Sequence, residues 1–111
     1  MNLTDKNFEE EVLKSDLPVL VEFWASWCPP CRIMNQLLDK LEKEYNGKIK
    51  IGKLNVDLNP ITPMRYRVLG LPTFIVFVNG KEVYREVAAK TEAQLRRLID
   101  ETLEKYNRVE R

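Results

Sequence analysis

Histidine is absent from the 111 residues, and cysteine occurs only twice. A zinc site needs four ligands, as a rule Cys or His. Cys28 and Cys31 alone would need a second chain or several carboxylates to complete one, and no metal is expected. The missing imidazole also limits proton transfer: any general base must be a carboxylate, water or a thiol. No apolar run approaches the roughly 20 residues that span a bilayer, so no membrane partner is expected. None of the four glycines builds a nucleotide-binding loop, so no cofactor is expected. Charged residues make up 32 % of the chain, but their signs nearly cancel at +1. Without a basic stripe or an acidic tail, nucleic acid is not an expected partner. Met1 to Glu11 shows no basic segment followed by an apolar one, so no export signal is visible. Two cysteines without such a signal point to a reducing compartment, here the cytoplasm, and to a working rather than a structural dithiol. Residues 1–111 are expected to form one domain around a single core, with no repeat or linker.

What the chain does have is Trp27-Cys28-Pro29-Pro30-Cys31. An apolar run, Val19 to Trp24, precedes it. An amphipathic stretch follows, with Met34, Leu37, Leu38, Leu41 and Tyr45 at helical spacing. The two thiols therefore sit where a buried strand hands over to a helix. Cys28 lies near the helix N-terminus, where free N–H groups and the dipole favour a thiolate. Cys31 is one turn further in and can close a small ring back onto Cys28. A bridge over so short a loop removes little chain entropy, which argues against a purely structural disulfide. Strand, C-x-x-C and helix in that order suit reversible thiol–disulfide exchange.

The rest of the chain supplies a frame for this site. Asn2 and Leu3 suggest a very short strand. Thr4 or Asp5 caps a first helix with Phe8 and Val12 on one face, ending near Ser15. Val19 to Trp24 is apolar on both faces except at Glu22 and reads as a central strand. An acid there is costly unless paired, and its pKa should rise. The helix after Cys31 runs to about Tyr45 and closes at Asn46-Gly47. Ile49 to Val56 is a third strand whose apolar parity changes at Gly52, by a bulge or by burial on both faces. Lys53 lies inside it with part of its stem buried. Pro60 to Arg67 is a short irregular helix around Pro63. Gly70 to Thr73 turns into a strand, Phe74 to Val78. Asn79-Gly80 then makes a hairpin to Glu82–Val87. Thr91 caps the last helix, with Leu95, Leu98, Ile99, Leu103 and Tyr106 inward, and residues after Asn107 fray. The order β-α-β-α-β-α-β-β-α implies an α/β protein: a central mixed β-sheet of four to five strands flanked by four helices.

Along nearly its whole length the chain resembles the thioredoxin family. The resemblance rests on Val21 to Cys28, Pro30-Cys31, Lys53 to Asp57, Asn59-Pro60, Gly70 to Phe74, and Phe77 with Asn79-Gly80. Several motifs in the right order make it specific, which a lone C-x-x-C would not. It implies the thioredoxin fold, with Cys28 the exposed attacking thiol and Cys31 the buried resolving one. It implies that Pro72 is cis and faces the sulfurs, and that Leu71 offers its backbone to an incoming peptide. Trp27, Gly70 and Leu71 would form the apolar rim of that docking groove, beside Pro29 and Pro30. Glu22 and Lys53 fall where the family keeps a buried acid and a lysine beneath the active site. The expected partners are client proteins with disulfides and a separate thioredoxin reductase as electron donor, with the chain itself a monomer.

Four positions depart from the family's usual pattern. Pro29 stands for a glycine, Glu22 for an aspartate, Gln36 for a helix-kinking proline and Ala88 for a rim glycine. The Pro-Pro pair also occurs in tryparedoxins, nucleoredoxin and thioredoxin-like proteins of cytochrome maturation. Plainer roles compete at single residues: Trp24 as core packing, and Glu22 with Lys53 as a core ion pair. The expected activity is that of a thiol–disulfide oxidoreductase reducing client disulfides through Cys28 and Cys31. The alternatives are a pathway-dedicated dithiol oxidant or thioredoxin-like partner, and a non-catalytic protein-binding module.

Overall fold

The computed structural model describes residues 1–106. The fraying expected after Asn107 lies outside the described residues. Five strands form one mixed sheet in the order β1-β3-β2-β4-β5: β1 (Asn2–Leu3), β2 (Val19–Trp24), β3 (Lys50–Asn55), β4 (Thr73–Val78) and β5 (Lys81–Val87). β1 and β2 run parallel to β3, and β4 runs antiparallel to both β2 and β5. The helices are α1 (Pro29–Glu44), α2 (Ile61–Arg65) and α3 (Glu92–Tyr106), with a π-helical turn at Glu9–Leu13.

β2 is central because it is apolar on both sides. Leu20 faces α1 and α3, in a core with Met34, Leu38, Leu41, Ile51, Phe74, Val76, Leu95 and Ile99. Val19, Val21 and Phe23 face the other way, onto Phe8, Val12, Leu54, Ile75 and Phe77. The parity change at Gly52 is not a bulge, since β3 keeps unbroken register with β2. Ile51 and Leu54 enter opposite cores, and Leu3 fills the space above Gly52, where a Cβ would come within 2.6 Å of its Cδ1.

The first helix differs from expectation. Lys14 N–H donates to the Glu9 carbonyl, five residues back, at 2.9 Å. The wider turn keeps Phe8, Val12 and Leu13 on one face, whereas an α-helix would rotate Leu13 away from the core they share. Thr4 caps this segment reciprocally with Asn7, through bonds of 2.7 and 3.1 Å. Asp5, the other candidate cap, instead reaches α2 and accepts from the Ile61 and Thr62 N–H groups at 3.1 and 2.8 Å. Those bonds satisfy N–H groups that a helix start leaves without a partner. Pro63 is buried within α2 without breaking it, because a first-turn proline has no helical acceptor to lose. Thr91 caps α3 as expected, paired with Gln94 at 2.8 and 3.1 Å. The hairpin turn at Asn79-Gly80 has φ of +52° and +79°, the signs a tight two-residue turn requires.

Candidate active site

Cys28 is the N-cap residue of α1, and Pro29 and Pro30 occupy its first two positions. Neither proline has an N–H, so the first helical donor is Cys31, which donates to the Cys28 carbonyl at 3.0 Å. The two sulfurs are bonded, with Cα atoms 5.3 Å apart. Cys31 is fully buried. The exposed thiol expected at position 28 needs correction: Cys28 is only 3 % exposed, because its sulfur is turned onto Cys31 in the disulfide. Pro29 and Pro30 themselves are exposed beside it.

Trp27 is 66 % exposed, and its indole N–H donates to the Asp57 carboxylate at 2.8 Å. That bond ties the loop before α1 to the end of β3. The Leu71–Pro72 bond is cis. Phe23 and Thr73 are paired across β2 and β4, which brings the Gly70–Pro72 loop beside the end of β2 that leads to Trp27. Leu71 is half-buried, and its N–H and C=O make no backbone hydrogen bond among the described residues. At Gly70 a Cβ would press on Val87 at 3.1 Å. Further apolar side chains are exposed on the neighbouring segments: Ile33 on α1, Ile61 and Met64 on α2, and Leu69, which is 95 % exposed. These were not singled out from sequence, because isolated apolar residues in irregular stretches have no period that would mark them as surface.

Ala88 donates its N–H to the Pro72 carbonyl at 2.8 Å while holding φ at +87°. A side chain in left-handed backbone costs about 1–2 kcal/mol. Replacing it with glycine relieves that cost but gives back about 0.5–1 kcal/mol, because the unfolded glycine chain is freer. Ala88→Gly is therefore expected to stabilise the fold by about 0.5–1 kcal/mol, read as a higher urea midpoint at unchanged slope. A lower midpoint would show that the Ala88 methyl packs favourably enough to outweigh the backbone.

Beneath the disulfide, the sequence expectation is half met. Glu22 is fully buried on the α1 side of β2. Its pKa is pushed up to about 8, mainly by burial; the Lys53 charge opposes this and the Asp39 charge adds to it. Lys53 sits opposite Glu22 in register, yet the core ion pair that was the plainer reading of the two does not form. The Lys53 side chain is 15 % exposed, and its ammonium turns to Asp39 on α1 at 2.7 Å. Asp39 is exposed, so this ion pair lies at the edge of the core, where hydration is less costly to retain than beside Glu22.

The polar partner of Glu22 is Asn35. With the amide oriented by its hydrogen bonds, Asn35 Nδ2 donates to Glu22 Oε1 at 2.7 Å and to the Cys31 carbonyl at 3.0 Å. Cys31, Asn35 and Asp39 are four residues apart along α1 and so share one stripe, laid over Glu22 and Lys53. That spacing was the available signal for Asn35: a polar residue one helical turn after a buried cysteine.

Among the described residues, no helix is long and apolar enough to cross a membrane. The family model for thioredoxin matches residues 1–101. The thioredoxin of Rickettsia bellii is 51 % identical over 81 residues, which cover 73 % of this chain and 77 % of that one. Those of Pseudomonas aeruginosa and Buchnera aphidicola are 44 % and 41 % identical over 100 and 103 residues. These cover 90 % and 93 % of this chain, and 93 % and 95 % of theirs. A chain so matched, folded as a five-stranded mixed sheet that ends in a bonded C-x-x-C pair, belongs to the thioredoxin family and is a dithiol–disulfide oxidoreductase.

Proposed function

We propose that this chain acts in the cytoplasm, as one monomeric domain, to reduce disulfides in client proteins. The observation that carries this reading is the bonded pair at the start of α1: Cys28 is the N-cap residue, flanked by the exposed Trp27, Pro29 and Pro30, and Cys31 lies one turn further in, fully buried. In the reduced protein the Cys28 thiolate attacks one client sulfur, and the client's second sulfur leaves as a thiol after taking a proton. Cys31 gives its proton to Glu22, and the resulting thiolate attacks Cys28 at the mixed disulfide. The client's first sulfur then leaves with the bonding electrons and is protonated. Two electrons have passed to the client, and the Cys28–Cys31 bond has formed.

Trp27, Gly70 and Leu71, with Pro29, Pro30 and Pro72 around the sulfurs, form the rim against which the client lies. The unpaired peptide groups of Leu71 suit an extended client segment, which would add its own backbone bonds there. Lys53 keeps a positive charge near Glu22 and so assists its ionisation. A separate thioredoxin reductase returns the electrons. The test is insulin reduction by dithiothreitol, with iodoacetamide labelling of the reduced protein near neutral pH. Catalysed precipitation and far faster labelling of Cys28 than of Cys31 are expected. No acceleration, with a Cys28→Ser protein still binding its partners, would make the groove a binding module instead.

A further inference from the structure

Asn35 is a poor helix former placed well inside α1, where alanine would serve the helix better. Its side chain is half-buried and directed inward rather than to water. Both of the bonds it makes are with the buried machinery. One N–H goes to the carboxylate of Glu22, on β2, and the other to the main-chain carbonyl of Cys31, on α1. No other side chain among the described residues is bonded both to a catalytic candidate on the sheet and to the turn that carries the resolving cysteine. We propose that Asn35 is a positioning residue for the second step of the reaction, a clamp that holds the Glu22 carboxyl against the first turn of α1 and so toward Cys31. The inference rests on Glu22 being the proton acceptor for that cysteine.

The chemistry of the clamp has a direction. An amide N–H is only a donor, so it stabilises Glu22 more as a carboxylate than as an acid. Burial acts the other way and holds the group protonated to about pH 8. Asn35 therefore supplies part of the basic form that Cys31 needs near neutrality. The bond to the Cys31 carbonyl fixes which end of the carboxyl faces the cysteine. Lys53 cannot substitute, because it is engaged by Asp39 and contributes only a more distant charge.

The test compares Asn35→Ala, Glu22→Gln and the double variant in single-turnover reduction of a fluorogenic peptide disulfide. The fast phase reports mixed-disulfide formation and the slow phase its resolution. Asn35→Ala should fold well, since alanine favours the helix; Asn35→Gln, which keeps the amide, should recover part of the rate. For Asn35→Ala, resolution at pH 7 is expected to slow about tenfold, the scale of one lost hydrogen bond to a charged group. The fast phase should be unchanged, and the pH midpoint of the slow phase should move upward. The double variant should be no slower than Glu22→Gln, because the clamp has nothing left to hold. If Glu22→Gln slows resolution while Asn35→Ala changes neither its rate nor its midpoint, the clamp is refuted and the proton acceptor survives. Multiplying effects in the double variant would also refute it. If Glu22→Gln itself leaves resolution unchanged, the acceptor role fails and the clamp fails with it.

Discussion

Cys31→Ser is expected to stop turnover and to leave the protein covalently bound to its clients. Cys28 remains able to attack, but the mixed disulfide has no internal thiol to open it. The size of the loss follows from what replaces Cys31. In the intact protein the second thiol lies within one helical turn, with Cα atoms 5.3 Å apart. A held neighbour acts at an effective concentration of at least about 1 M, and well-oriented ones far above that. Millimolar external thiol is about a thousandfold more dilute, so resolution should slow by about 10³ or more. Cys28→Ser should be inactive too, yet without covalent capture. The pair of variants separates the two roles in one gel of non-reduced extracts, where Cys31→Ser yields high-mass adducts that vanish on reduction. Adducts of equal amount on Cys28→Ser would refute the division into attacker and resolver, and adducts on Cys28→Ser alone would reverse it. The nearly covered sulfur of Cys28 gives a corollary. Labelling should be fast only in the reduced protein, where that sulfur is no longer turned onto Cys31.

The parts of this molecule that repeat with a period were legible in its sequence, and the parts that depend on where one long side chain turns were not. The apolar runs of β2, β3 and β4, and the spacing along α1 and α3, locate the core from the order of residues alone. The Asn79-Gly80 turn and the Thr91 cap were equally local, since each needs only a few neighbouring residues. Asp5 is the counter-example. It looks like a cap for the segment that follows it, but its carboxylate reaches Thr62, 57 residues away, because β1 and α2 converge on one end of the sheet. Lys53 shows the same limit. The strand pairing places it opposite Glu22, but side-chain length lets it choose the more hydrated Asp39. At the site itself, the position of the cysteines at the strand–helix junction was readable. The spacing after Cys31 puts Asn35 on the same face of α1, but its bond to Glu22 depends on the angle at which α1 crosses β2, which no spacing encodes.

Glu22→Gln is expected to make the protein more stable and slower at once. The folded disulfide form holds Glu22 near pKa 8 against an ordinary 4.5, mainly because the carboxyl is buried. Below about pH 4.5 the group is protonated whether the chain is folded or not, and it contributes nothing to the pH dependence. Between about 4.5 and 8 the unfolded chain loses this proton while the folded one keeps it. The unfolded state then binds fewer protons, so stability falls as pH rises, by up to about 1.4 kcal/mol per unit. Above about 8 both states are ionised and the penalty stays constant. Glutamine cannot ionise, so the variant should gain on the wild type by up to about 3 kcal/mol at pH 7, and by little at pH 4. The other carboxylates cancel in the difference, which makes urea midpoints of the two disulfide-bonded proteins from pH 4 to 9 the direct measurement. A gain that does not change with pH would trace the effect to packing and return Glu22 to an ordinary carboxyl. On the proposed mechanism the same substitution also removes the base for Cys31, and a positioned general base contributes about 10²–10⁴ in rate. Water or a departing client thiolate can take the proton instead, so the loss in resolution should fall at or below the lower end of that range. On that proposal, the burial that makes Glu22 a cost to the fold above its ordinary pKa is the same burial that brings its titration near the pH at which Cys31 must lose a proton.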